Sequence, residues 1–237
     1  MKTTKKSEEI SEVAKHSCEF CGREFARAST VLNHICQYKH RWLDKERSGN
    51  RIGYQAWQQF YKTTTLRHKV RTYEDFIKSP YYNAFVKFGD YTVDINAVNV
   101  PRFIDWLLKN KVKVDNWRSD ATYTRYLVEF LREEDPYDAI YRSIETTVKL
   151  SQDENILPKD YLRYVNPNKI CYAITTGRIS PWLLYQSNSG VKFLGSLGAD
   201  HVKMISDYIN PELWAVKFLK MKSVVPQIKE ILTLGGY

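Results

Sequence analysis

The chain predicts a mainly α fold, and three observations carry that expectation. From Tyr54 onward apolar and aromatic residues recur at spacings of three and four, as in Trp57, Phe60 and Tyr61 or Tyr123, Tyr126, Leu127, Phe130 and Leu131. That is the period at which one face of a helix is buried. Helix-start signals recur as well: Asn99 stands two before Pro101, and Ser180 directly before Pro181. Each pairs a capping side chain with a ring whose missing N–H costs nothing in a first turn. β-branched runs are few, and "YTVDINAVNV", residues 91–100, reads equally as a short strand or an extended loop. At 237 residues the chain can bury a substantial core, as one large domain or as a small module with a main domain.

Taken in order, residues 1–15 are polar and aperiodic and are expected to be a disordered arm. The next stretch, "SCEFCGREFARASTVLNHICQYKH", residues 17–40, holds three of the four cysteines, at 18, 21 and 36, with Cys171 far away. Such clustering favours a metal over a disulfide framework. Cys18 and Cys21 have the C-x2-C spacing that a tight turn uses to bring two thiolates to one ion. Twelve residues separate Cys21 from His34 and five separate His34 from His40, while Phe25 and Val31 supply a small apolar core.

Ligands and core positions together resemble a C2H2 zinc finger over residues 16–40, within a unit bounded at 16–41. The resemblance implies a ββα fold with its helix starting near Ala28, and a Zn2+ ion held by Cys18, Cys21, His34 and His40. Two features depart from the family pattern. His16 stands where an aromatic residue usually precedes the first cysteine. The five-residue gap carries His40 off the face of His34, so the helix must unwind or tighten before it. Cys36 is the alternative fourth ligand, although two residues along a helix would point it to another side. Docked on DNA as its relatives dock, such a finger would turn Arg27, Thr30 and Asn33 to the bases, with Arg27 suited to guanine and Asn33 to adenine. One finger spans about three base pairs and needs further contacts.

The charge distribution suggests where those contacts lie. Of the net +9, residues 1–72 hold 15 Lys or Arg against 7 Asp or Glu, while residues 73–237 hold 21 against 20. A basic front on a nearly neutral body points to a polyanion, most simply nucleic acid and first of all DNA, with solubility alone as the plainer reading. Residues 42–53, with two glycines and many charges, read as a basic linker or a short helix followed by a break. Arg41, Lys45, Arg47 and Arg51 are the expected nucleic-acid contacts, continued by Lys62, Arg67, His68, Lys69 and Arg71. They are interleaved with Trp42, Tyr54, Trp57, Phe60 and Tyr61, which are either base platforms or the apolar stripe of a packed helix.

Residues 54–237 are expected to form a mostly helical domain. Ser79-Pro80 separates two short helices, and Gly89 is expected to end the second. The body carries no Walker loop, GxSxG or HExxH. The single histidine of residues 73–237, His201, has the spacing of an ordinary helical residue, and Asp90, Asp94, Asp115 and Asp120 form no cluster with a lysine. "FLGSLGADHV" reads as a turn, and "GRISPWLLYQS" places Arg178 before a Pro181-Trp182 helix start that is either a packing anchor or the wall of a base pocket. In style the body is similar to proteins of unassigned function from tailed bacteriophages, a likeness that carries over no residue or activity.

The combined expectation is a zinc-dependent nucleic-acid-binding protein whose helical domain is an effector or a surface for a protein partner. The alternatives are a nucleic-acid-modifying or base-excising enzyme targeted by its finger, and a protein-interaction adaptor. No segment approaches 18 uninterrupted apolar residues, and the N-terminus lacks a signal-peptide core. The expected setting is therefore soluble and intracellular without membrane contact, the host cytoplasm for a protein of phage origin.

Overall fold

The computed structural model describes residues 16–65 and 70–237, and it is mainly α. The arm expected at 1–15 and the cations Arg67, His68 and Lys69 lie outside the described residues. A two-stranded antiparallel hairpin opens the description, β1 at His16–Ser17 and β2 at Glu24–Phe25, with His16 opposite Phe25. Two short helices follow, α1 at Ala28–Asn33 and α2 at Gln37–Leu43.

Residues 42–53, expected as a basic linker or a short helix followed by a break, are the end of α2, a 3-10 turn at Asp44–Glu46 and the first turns of α3 at Ser48–Thr64, with no break at the glycines. Their glycines serve helix packing. α3 lies against α5 (Tyr82–Asp94) so closely that a Cβ placed on Gly89 would stand 1.9 Å from the carbonyl oxygen of Gly49, and one on Gly53 2.7 Å from that of Phe85. Gly89 therefore does not end its helix as expected; it is the point where two backbones touch. The same helix absorbs the first part of "YTVDINAVNV", and the remainder turns through Asn96 and Asn99, both at left-handed φ (49° and 48°). Asparagine tolerates that region better than most residues.

Between these helices runs α4 (Tyr73–Lys78), closed at its start by a reciprocal capping box of Thr72 and Asp75. The aromatic stripe of α3 is mainly core. Trp57 is fully buried and its Nε1 donates to Ser79 Oγ at 3.1 Å, while Phe60 packs on Phe85 and Trp117. Asn99 caps α6 (Val100–Lys109) by accepting from the Arg102 amide, as its position before Pro101 predicts.

The rest of the body is helical: α7 (Asp120–Glu133), α8 (Pro136–Asp153), α9 (Tyr161–Tyr164), α10 (Pro167–Thr175), α11 (Pro181–Gln186), α12 (Asn188–Ser196), α13 (Ala199–Ile209), α14 (Pro211–Lys220) and α15 (Val225–Leu234). Four of them start alike, with Asp135, Asn166, Ser180 or Asn210 capping a helix whose first residue is proline. Glu134 and Arg142 form a buried ion pair with an Nη2–Oε2 distance of 2.8 Å, and Arg142 Nε donates to the Gly177 carbonyl at 2.8 Å. No helix among the described residues is long and apolar enough to cross a membrane.

Candidate metal centre and adjoining groove

Cys18 and Cys21 owe their approach to the turn at the hairpin tip. The Gly22 amide donates to the Cys18 carbonyl at 2.8 Å and the Cys18 amide to the Arg23 carbonyl at 2.9 Å. Gly22 sits at φ 71°, a conformation glycine adopts without cost. The fold returns His34 to the two thiols, with its Nε2 3.4 Å from Cys21 Sγ. The Phe25 ring supports the imidazole from 4.8 Å, as the apolar spacing predicts.

The fourth member is Cys36. The ligating atoms of Cys18, Cys21, His34 and Cys36 all lie within 4.8 Å of one another. A tetrahedral zinc with Zn–S of ~2.3 Å and Zn–N of ~2.0 Å places its ligand atoms roughly 3.5–3.8 Å apart. The four atoms therefore fit closure around one such ion by small side-chain adjustments. Among the described residues this is the group of three or more metal-ligating side chains able to hold an ion.

The expected fourth ligand, His40, points elsewhere: its Nδ1 stands 3.1 Å from Asp44 Oδ2. The reason is local geometry. α1 ends at Asn33, and His34 and Cys36 are both extended, with ψ of 118° and 167°. In extended chain, residues two apart face the same side, so Cys36 follows His34 into the cluster. The helical spacing that argued against Cys36 does not apply there. Cys36 also accepts from the Lys39 amide at 3.4 Å as the N-cap of α2, so its sulfur starts the helix that carries His40 away.

The thiols differ electrostatically. The Cys21 amide, hydrogen-bonding to the Cys18 sulfur, leads the effects that lower the Cys18 thiol below its usual range. For Cys21 the Arg23 amide acts in the same direction, but desolvation and the neighbouring thiols outweigh it and the thiol is raised.

The expected base-reading residues Arg27, Thr30 and Asn33 are exposed on α1 or at its start. The four cations after the finger divide into two kinds. Arg41 donates to the Ile77 carbonyl at 2.6 Å and stacks on Tyr82 at 4.1 Å. Arg47 pairs with Asp90 at 2.8 Å and donates to Asn50 at 2.9 Å. Both hold the fold together. Lys45 and Arg51 are exposed and line one cavity of about 620 Å³, walled by Trp42, Tyr54 and Tyr73 and rimmed by Glu46. Arg71, also expected to face phosphates, lies over Tyr61 at 4.0 Å.

This groove adjoins the metal unit. Phe20, between the first two cysteines, packs on Trp42 at 6.0 Å, and Trp42 meets Tyr73 edge-on at 5.7 Å. Tyr73 escaped the sequence reading because it follows the cationic run; its hydroxyl donates to the Arg41 carbonyl at 3.2 Å and so ties α4 to α2.

Further along the body, Trp182 is fully buried and packs on Trp214 and Phe218, which places it in the core. Arg178 instead lines a cavity of about 420 Å³ with Asp153, Glu154, Lys169 and Tyr172. His201 Nε2 lies 3.1 Å from Asn168 Oδ1. Asp90 is paired with Arg47 and Asp120 accepts from Tyr91. No family model, curated protein or solved structure matches the chain, so the likeness to tailed-phage proteins has no relative behind it.

Proposed function

We propose that this is a zinc-dependent nucleic-acid-binding protein, with DNA as the first partner to test and the helical body as effector or partner surface. The observation that carries the reading is the Cys3His centre packed directly against a groove that offers Lys45 and Arg51 beside Trp42. Three thiolates and one imidazole suit zinc, and four protein ligands leave no open position, so the ion is structural. Cys18, Cys21, His34 and Cys36 would hold it; Arg27, Lys45 and Arg51 then meet phosphates or base edges.

Metal content and nucleic-acid affinity of the full chain test the two halves of this reading. Elemental analysis and native mass spectrometry are expected to give one zinc per chain, lost in Cys21→Ser and Cys36→Ser and kept in His40→Ala. A metal-free preparation whose hairpin keeps its native amide protection would refute the zinc half. DNA affinity is expected to fall steeply with salt and to weaken further in Arg27→Ala. Affinity unmoved by salt would refute the other half.

A further inference from the structure

We infer that the groove between α2, α3 and α4 is a stacking site for an unpaired base of single-stranded nucleic acid, an inference that rests on the nucleic-acid reading above. Its walls are three half-buried rings, Trp42, Tyr54 and Tyr73, with Tyr54 edge-on to Tyr73 at 5.1 Å and Tyr73 edge-on to Trp42 at 5.7 Å. The tyrosine hydroxyls are already engaged: Tyr54 donates to the Arg71 carbonyl at 3.0 Å and Tyr73 to that of Arg41 at 3.2 Å. What they offer to the cavity is ring surface.

One face of Trp42 is covered by an exposed lysine, Lys45, whose Nζ stands 4.9 Å from the ring centroid. A planar base entering the groove replaces that ammonium on the ring, and the ammonium turns to the phosphate attached to the base. Arg51 stands across the same cavity, so two cations against the single carboxylate of Glu46 favour an anionic ligand at the mouth.

Three features favour a single strand over a duplex. The cavity is concave, and at about 620 Å³ it falls in the range of roughly 300–1,000 Å³ typical of small-molecule sites. A base inside a duplex has both faces covered by its neighbours, whereas an unstacked base has a free π face to offer a ring. Among the described residues Arg41 is held by Ile77 and Tyr82 and Arg47 is paired with Asp90, so these two have less to offer a duplex backbone than Lys45 and Arg51 beside the rings.

The test uses the full zinc-loaded chain and fluorescence anisotropy with labelled oligomers of about 15 nucleotides in ~50 mM salt. The probes are oligo-dT, oligo-rU, a duplex, and an abasic strand with the same phosphates and no bases. Binding of dT or rU about tenfold or more tighter than the duplex and the abasic strand is expected. Lys45→Gln with Arg51→Gln is expected to weaken the single strand about tenfold while one zinc per chain is retained. The abasic comparison needs no variant, so it stands even if the doubly substituted chain fails to fold. Duplex or abasic binding equal to that of oligo-dT overturns the stacking site and leaves the nucleic-acid reading intact. Displacement of dT by polyglutamate at equal charge overturns it in favour of an acidic protein partner. Absence of binding by every oligomer overturns both.

Discussion

Replacing Gly89 by alanine tests how the helix that carries the groove is held. The new Cβ would lie 1.9 Å from Gly49 O, 2.8 Å from Gly49 C and 2.9 Å from Gly53 N, all backbone atoms that cannot rotate aside. Reaching the 3.4 Å of ordinary contact from 1.9 Å requires α3 and α5 to part by about 1.5 Å. That separation loosens the packing of Ala56, Trp57, Phe85 and Phe88, all buried beside the crossing. Overpacking of this kind costs roughly 1–3 kcal/mol and sometimes more, and the immovable neighbours put this site at or above the upper end. Alanine returns about 1 kcal/mol of helix propensity, leaving a net loss of ~2 kcal/mol or more. For a chain of this size that lowers Tm by roughly 4–8 °C. Gly195→Ala is the matched control: it lies inside α12 with no atom within 4 Å of the new methyl, and it is expected to raise stability by about 0.5–1 kcal/mol. Circular-dichroism melts and urea titrations of both variants decide the matter. A Gly89→Ala protein melting at or above the parent would refute the close-approach argument.

Two further predictions follow from the body. Burial holds the phenols of Tyr73, Tyr91, Tyr123 and Tyr126 above their ordinary range. A raised folded pKa means stability complete below the unfolded value of about 10 and lost above it, at up to ~1.4 kcal/mol per pH unit for each such group. Stability measured in urea should therefore fall steeply above pH ~10, with part of the tyrosinate absorbance rising only together with unfolding; complete ionisation of the tyrosines ahead of the loss of helix would contradict it. In the second, Glu134→Ala leaves Arg142, whose burial already depresses it to about 10, without its carboxylate. A cost of about 3–5 kcal/mol is expected, largely recovered in Glu134→Met with Arg142→Leu. A double variant no more stable than the single one would show that the pair matters for more than charge compensation.

Much of this architecture was legible in the chain because helix starts are written locally. Asn99 with Pro101 and Ser180 with Pro181 name their helices within three residues, and both cap as expected. The C-x2-C turn, the return of His34 and the Phe25 contact were equally local. What escaped depends on partners distant in sequence. Gly49, Gly53 and Gly89 read as breaks because nothing near them shows that another backbone will press against them. Arg41 and Arg47 read as cations without partners in the fold because Tyr82 and Asp90 lie some forty residues away. The exchange of His40 for Cys36 turned on where α1 ends, and helix ends are set by fine competition among residues of similar propensity.

The junction between the metal unit and the body has a consequence for avidity. In a chain of independent modules, a second contact made after a first carries a cost set by the linker's freedom, expressed as an effective concentration. Here Cys36 Sγ lies in the metal cluster and caps α2, and Phe20 rests on Trp42. No flexible spacer separates the exposed face of α1 from the groove. On the nucleic-acid reading proposed above, a ligand long enough to touch both would meet two contacts with their spacing already fixed, so the second would add its affinity almost in full, and a ligand of the wrong spacing would gain nothing from it.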